Sequence, residues 1–139
     1  MSTEYALEKF GAYQKGLELF DLVVKDMEVL QRDPKCYRLI SQQIASADSI
    51  CANIEEGFGR LSRAEYIRFL DFARGSARET QGRYRRLTHW LPPEVIEHRV
   101  KLCGEIIAVL TKTIITLKQT PTVREDGAPY SLDPPTLDP

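Results

Sequence analysis

Eight arginines fall between Gly57 and Leu91, against three acids, in a chain of 139 residues whose formal net charge is −1. Projected at about 100° per residue, Arg60, Arg63, Arg74, Arg78 and Arg85 share one narrow stripe, with Ile67 inside it and Asp71 at its edge. Arg68 and Arg86 lie together on another face. Two kinds of chemistry suit such a stripe. A planar guanidinium fork binds carboxylates bidentately, so the arginines can form ion pairs with acids of neighbouring helices or subunits, Glu55 and Glu56 being the nearest in sequence. The same forks contact phosphates, and repetition of the stripe around a ring would multiply its field. No alternation of aromatics with arginines is evident along the segment, so a stacking platform for bases is not expected. The neutral to acidic total, with a pI of about 6.1, means that any nucleic-acid case rests on this local charge.

Catalytic sets are missing from the pattern. Di-iron bundles need Glu-x-x-His on two helices; the residues three before His89 and His98 are Arg86 and Val95. His98 and Cys103, five apart, share a helix face poorly, so a metal site is not expected. Cys36, Cys51 and Cys103 are too few and too scattered for a disulfide framework or a zinc ribbon. Cys51 and Cys103 fall on apolar stripes, where a thiol is a small inert hydrophobe. No enzyme activity, cofactor or metal is therefore expected. Asp48, among small residues, needs an arginine partner if it faces another helix. The absence of an apolar run long enough to span a bilayer, the lack of a secretory pattern in MSTEYALEKF and the unpaired thiols point to a cytoplasmic protein.

The elements that must carry these residues are helices. Phe10, Tyr13, Leu17, Phe20, Val24 and Met27 recur at three- and four-residue steps and predict a helix from about Leu7 to the Asp33-Pro34 stop. Ile40, Ile44, Ala47, Cys51 and Ile54 form a second stripe, flanked by small residues that let another helix approach. Gly57 and Gly59 are expected to end that helix in the left-handed conformation. Asn53 is expected to bond backbone groups nearby. Ser62 and Glu65 form a capping box, serine taking a free amide and glutamate reaching back. The third helix is predicted to run to about Trp90, burying Tyr66, Phe69, Leu70, Ala73, Ala77, Thr80, Tyr84 and Leu87. The Pro92-Pro93 break precedes a fourth stripe of Ile96, Cys103, Ile106, Ile107, Leu110, Ile114 and Leu117. The fold class is all-α: an antiparallel up-down-up-down four-helix bundle over residues 1–119. Leu19, Val23 and Phe72 lie beyond one core stripe and mark surplus apolar surface of the kind found at interfaces. Residues 120–139 hold five of the eight prolines, one cation and four anions. They are expected to form an extended or disordered acidic Pro-rich tail, with Tyr130 and Leu132 as the anchors of any groove-bound segment.

One stretch is more specific. Ser49-Ile50, Asn53-Ile54, Glu56-Gly57-Phe58-Gly59-Arg60, Ser62, Tyr66 to Leu70, and Ala73-Arg74-Gly75-Ser76 follow one another in a fixed order. This order resembles that of the bacterial four-helix-bundle proteins named for open reading frames in 23S ribosomal RNA intervening sequences. Tyr13-Gln14-Lys15 fits the upstream part of the same pattern. Two positions depart from it: Glu55 stands where the family usually has alanine, and Tyr13 where it has tryptophan. The resemblance implies a non-catalytic bundle that assembles as a ring, typically a homopentamer. A relative of that fold, the accessory variability determinant of diversity-generating retroelements, works with a reverse transcriptase and binds nucleic acid. The partners so implied are further copies of the chain, RNA or an RNA-bound protein, and, as the alternative, a reverse transcriptase that uses the bundle as an adaptor.

The Glu55-to-Arg60 turn is not a phosphate loop. It lacks the P-loop pattern, and its acids repel phosphate. Asn53, Glu56, Gly57, Gly59, Ser62 and Glu65 are read as residues of a helix–helix corner.

Overall fold

A computed structural model describes residues 3–119, with side chains from Ala6 onward; the expected tail, 120–139, lies outside the described residues. The chain forms helices α1 (Thr3–Lys9), α2 (Gly11–Leu30), α3 (Tyr37–Phe58), α4 (Arg63–Arg85) and α5 (Pro93–Gln119), with a single 3₁₀ turn at Pro34–Cys36. The first predicted helix is broken at Phe10, whose backbone is extended. Its ring is buried against Phe58, with centroids 6.0 Å apart. Gln14 Nε2 crosses the break to Glu8 O at 2.8 Å, satisfying a carbonyl that α1 leaves open.

Neighbouring helices run antiparallel, as the cross-links show. Along α2–α5, Lys15 meets Glu105 and Asp26 meets Arg99. Along α3–α4, Ser49 meets Ser76 and Ser46 meets Thr80. Along α4–α5, Arg74 meets Thr111 and Gln81 meets the Val100 carbonyl. The up-down-up-down bundle is therefore present. Its core holds Tyr66, Tyr84, Phe10, Phe58, Leu70, Ile106 and Leu110 among the fully buried side chains, each worth about 1.5–3 kcal/mol of transfer for a large apolar group.

Two readings of α2 change. Its buried face is Ala12, Gly16, Leu19, Val23, Asp26, Met27 and Leu30, one position round from the stripe that apolar counting selects. Leu17 and Val24 are instead 45% and 39% exposed, while Leu19 and Val23 are fully buried. The reason is Gly16. A Cβ there would lie 3.1 Å from Cys51 Sγ, so the close α2–α3 approach runs through a residue with no hydrophobicity to count.

Asp26 closes the far side of the bundle. Its carboxylate accepts from Tyr84 Oη at 2.7 Å, Arg99 Nε at 2.8 Å and Arg99 Nη2 at 3.0 Å. One buried acid thus ties α2 to α4 and α5. Burial and this bond push the Tyr84 phenol well above the ordinary tyrosine range, and the same carboxylate raises Arg99. α4 ends at Arg85, five residues before Trp90. The intervening chain turns, and Trp90 Nε1 donates to Asp33 Oδ2 at 3.1 Å, joining the two links at that end. The indole bond holds the Asp33 carboxyl below its usual range.

Candidate nucleic-acid interface

The corner between α3 and α4 sets where the arginine face begins. Gly57 lies inside the last turn of α3, and Gly59 caps it at φ −82°, a right-handed value. The glycines do not serve the left-handed exit expected of them. At Gly57 an added Cβ would meet Phe69 Cβ and Tyr66 Cδ1 at 3.1 Å each, so glycine there permits close packing of α4. Asn53 Nδ2 donates to the Ser49 carbonyl at 2.8 Å, as expected of a residue bonding backbone near the helix end. Ser62 Oγ accepts from the Glu65 amide at 3.3 Å and caps α4. The Glu65 carboxylate, expected to turn back toward Ser62, holds Arg68 Nη2 at 2.9 Å.

The five-arginine stripe does not survive as one feature. Arg60 precedes α4, because Ser62 is extended, and so it leaves the projected line. Its guanidinium pairs with Glu56 and lies 4.9 Å over the Phe69 ring. Arg63 is half-buried in the first turn. Arg74 donates to Asp71 Oδ1 at 2.7 Å and to Thr111 Oγ1 of α5 at 3.2 Å. Arg78 and Arg85 are exposed and make no ion pair with any described residue; Arg85 reaches only Gln81 Oε1, at 3.5 Å. Asp48 is exposed on α3 and needs no partner.

A second arginine-bearing face, toward α3, was not singled out by projection. An open concavity of about 440 Å³ runs between α3 and α4, lined by Gln42, Ser46, Ser49, Ser76, Glu79 and Arg83 among others. Its floor is a hydroxyl ladder: Ser76 Oγ donates to Ser49 Oγ at 2.9 Å, and Ser46 and Thr80 hydroxyls lie 2.8 Å apart. Arg83 Nη1 donates to Gln43 Oε1 at 2.7 Å and Ser46 Oγ at 3.1 Å. Its burial lowers the guanidinium pKa from the ordinary arginine value. Above this groove, Arg68 stacks on Phe69 and Phe72 at 5.4 and 5.7 Å, and the two rings meet edge-to-face at 5.7 Å. An aromatic–arginine cluster therefore does exist, contrary to the sequence expectation. The signal was present: Arg68 and Phe72 are four apart on a helix, the spacing at which side chains meet.

Nothing catalytic assembles elsewhere among the described residues. His89 and His98 are exposed, and no group of three or more potential metal ligands occurs there. The three cysteines are buried and unpaired. No helix among the described residues is long and apolar enough to cross a membrane.

Fold and surface together define a small antiparallel helical bundle with an arginine-rich third bundle helix. The chain matches the family described as 23S rRNA-intervening sequence protein over residues 8–112, and it belongs to that family. Among solved structures it is similar to a protein of unknown function from the S23 ribosomal protein family of Bacteroides thetaiotaomicron. The two share 30% identity at a TM-score of 0.70, over 74% of this chain and 97% of that one. No curated protein matches the chain.

Proposed function

We propose that the chain is a non-catalytic scaffold that assembles into a closed ring of identical subunits, a pentamer as its family resemblance implies, and engages RNA through α4. The observation that carries the RNA contact is the pair Arg78 and Arg85, exposed and without acid partners among the described residues, on a helix with six arginines and three acids. Phosphate neutralisation suits them because it releases counterions and requires no fixed base geometry. Self-association is supported by the α2–α3 groove, where exposed Val24 meets Met27, Ile40 and Ile44.

The adaptor alternative, in which the bundle serves a reverse transcriptase without touching RNA, has its own support. Arg60 and Arg74 are already engaged by Glu56 and Asp71.

Light scattering and filter retention of RNA separate these readings. A ring gives particles near five times 15.9 kDa. RNA affinity is expected to fall steeply between about 50 and 200 mM salt, and Arg78→Glu with Arg85→Glu is expected to flatten that slope by roughly one unit per lost phosphate contact. Unchanged retention by a variant that still forms the ring would favour the adaptor. Particles of 15.9 kDa alone at micromolar concentration would reject the ring.

A further inference from the structure

Side chains on a helix lean toward its N-terminus, so each is covered from the C-terminal side by residues three and four positions on. For Phe72 those residues are Gly75 and Ser76. A Cβ added at Gly75 meets nothing within 4 Å. The ring is therefore backed on its N-terminal side by Phe69 and the Arg68 guanidinium and bare on the other, which leaves it 48% exposed. A glycine inside a helix costs about 1 kcal/mol relative to alanine. This one sits at neither a turn nor a close contact within the protomer, so its smallness serves the space beside Phe72.

We infer that Phe72 is a landing for an unpaired base of single-stranded RNA, with Arg68 and Arg60 beside it as cations for the flanking phosphates. The inference rests on the RNA reading above and specifies its substrate as single-stranded. Base–aromatic stacking is tolerant of sequence, and arginine planes extend the stack. The acids that hold these arginines do not block the site. The Arg68–Glu65 and Arg60–Glu56 pairs are solvent-exposed, and such pairs are worth at most about 1 kcal/mol, so a phosphate displaces a carboxylate at little cost. A second copy of the chain fits this surface less well. The centres of subunit interfaces are depleted of charge, whereas Phe72 is ringed by Arg68, Asp71 and Glu79. The apolar groove is on the other side of α3, at Val24, Ile40 and Ile44.

The test is fluorescence anisotropy of a short labelled oligouridylate and of an RNA duplex of equal length, each titrated with the full chain. Phe72→Ala is expected to weaken oligouridylate binding roughly tenfold to a hundredfold, to leave the duplex nearly unaffected, and to keep the salt slope. Phe72→Trp is expected to restore binding, with indole emission quenched by the oligonucleotide. If Phe72→Ala binds oligouridylate as the parent does while affinity stays salt-dependent, base stacking is wrong and the phosphate reading stands. If the parent shows no salt-dependent binding to either RNA, the phosphate reading itself fails. If Phe72→Ala lowers the particle mass in light scattering, the ring belongs to a contact between copies and the inference is overturned.

Discussion

The two positions at which the chain departs from the family pattern are in contact. Tyr13 Oη donates to Glu55 Oε2 at 2.7 Å, so the extra carboxylate at the corner is received by the hydroxyl that tryptophan lacks. Burial, then this bond, pushes the Tyr13 phenol up to about 12. No spacing rule joins residues 42 apart, so the pair was legible only as two separate oddities. The glycines teach the same lesson. Gly57 and Gly75 look alike in the sequence, both within helical segments, yet one is pressed against Tyr66 and Phe69 and the other faces open space. Gly57→Ala is expected to lose about 1–3 kcal/mol through overpacking at the corner. Gly75→Ala is expected to gain up to about 1 kcal/mol from helix propensity alone. Urea unfolding of both variants checks this: equal shifts of the same sign would mean that the close approach at Gly57 has no energetic weight.

Helix by helix, legibility followed how apolar the buried face is. The α4 face was read nearly whole, because Tyr66, Leu70, Ala73, Ala77 and Tyr84 are large or neutral and repeat cleanly; only Phe69 comes out half-buried. The α2 face was misread by one position, because its buried members include Gly16 and Asp26. Asp26 was invisible as a core residue for a second reason: its partners Tyr84 and Arg99 lie 58 and 73 residues away. That clamp is where three helices depend on one side chain. Asp26→Ala strands the Arg99 guanidinium, whose side chain is only 13% exposed, together with the Tyr84 hydroxyl. Breaking a buried pair in this way costs about 3–5 kcal/mol. Removing the charge from both sides, as Asp26→Leu with Arg99→Met, is expected to recover much of the loss. Chemical denaturation of the single and double variants measures it. A loss below about 1 kcal/mol for Asp26→Ala would show that the clamp is dispensable.

At the scale of the whole molecule, the bundle class was legible because four long amphipathic stretches leave no other way to bury their faces. The basic surface was hidden by a total charge of −1. Stability against pH is also a property of the whole fold. Burial lifts the Cys51 and Cys103 thiols from an ordinary 9.0 to about 12, and burial raises Cys36 as well. Tyr13 rises to about 12 and Tyr84 further. Each of these groups is neutral in the folded state and ionises more readily in the unfolded chain. Above the unfolded thiol pKa of about 8.5, the unfolded state therefore binds fewer protons, and unfolding free energy must fall as pH rises. The contribution is fully present below about pH 8.5 and is lost toward pH 12. Each buried thiol contributes up to about 1.4 kcal/mol per pH unit across that window, with the phenols joining above about pH 10. Urea midpoints are expected to show no loss from these groups between pH 7 and 8 and to drop steeply between 9 and 11. The Cys51→Ala, Cys103→Ala double variant is expected to start lower and to fall less steeply between pH 9 and 10. A parent midpoint at pH 10.5 equal to that at pH 7 would mean that these thiols are open to water.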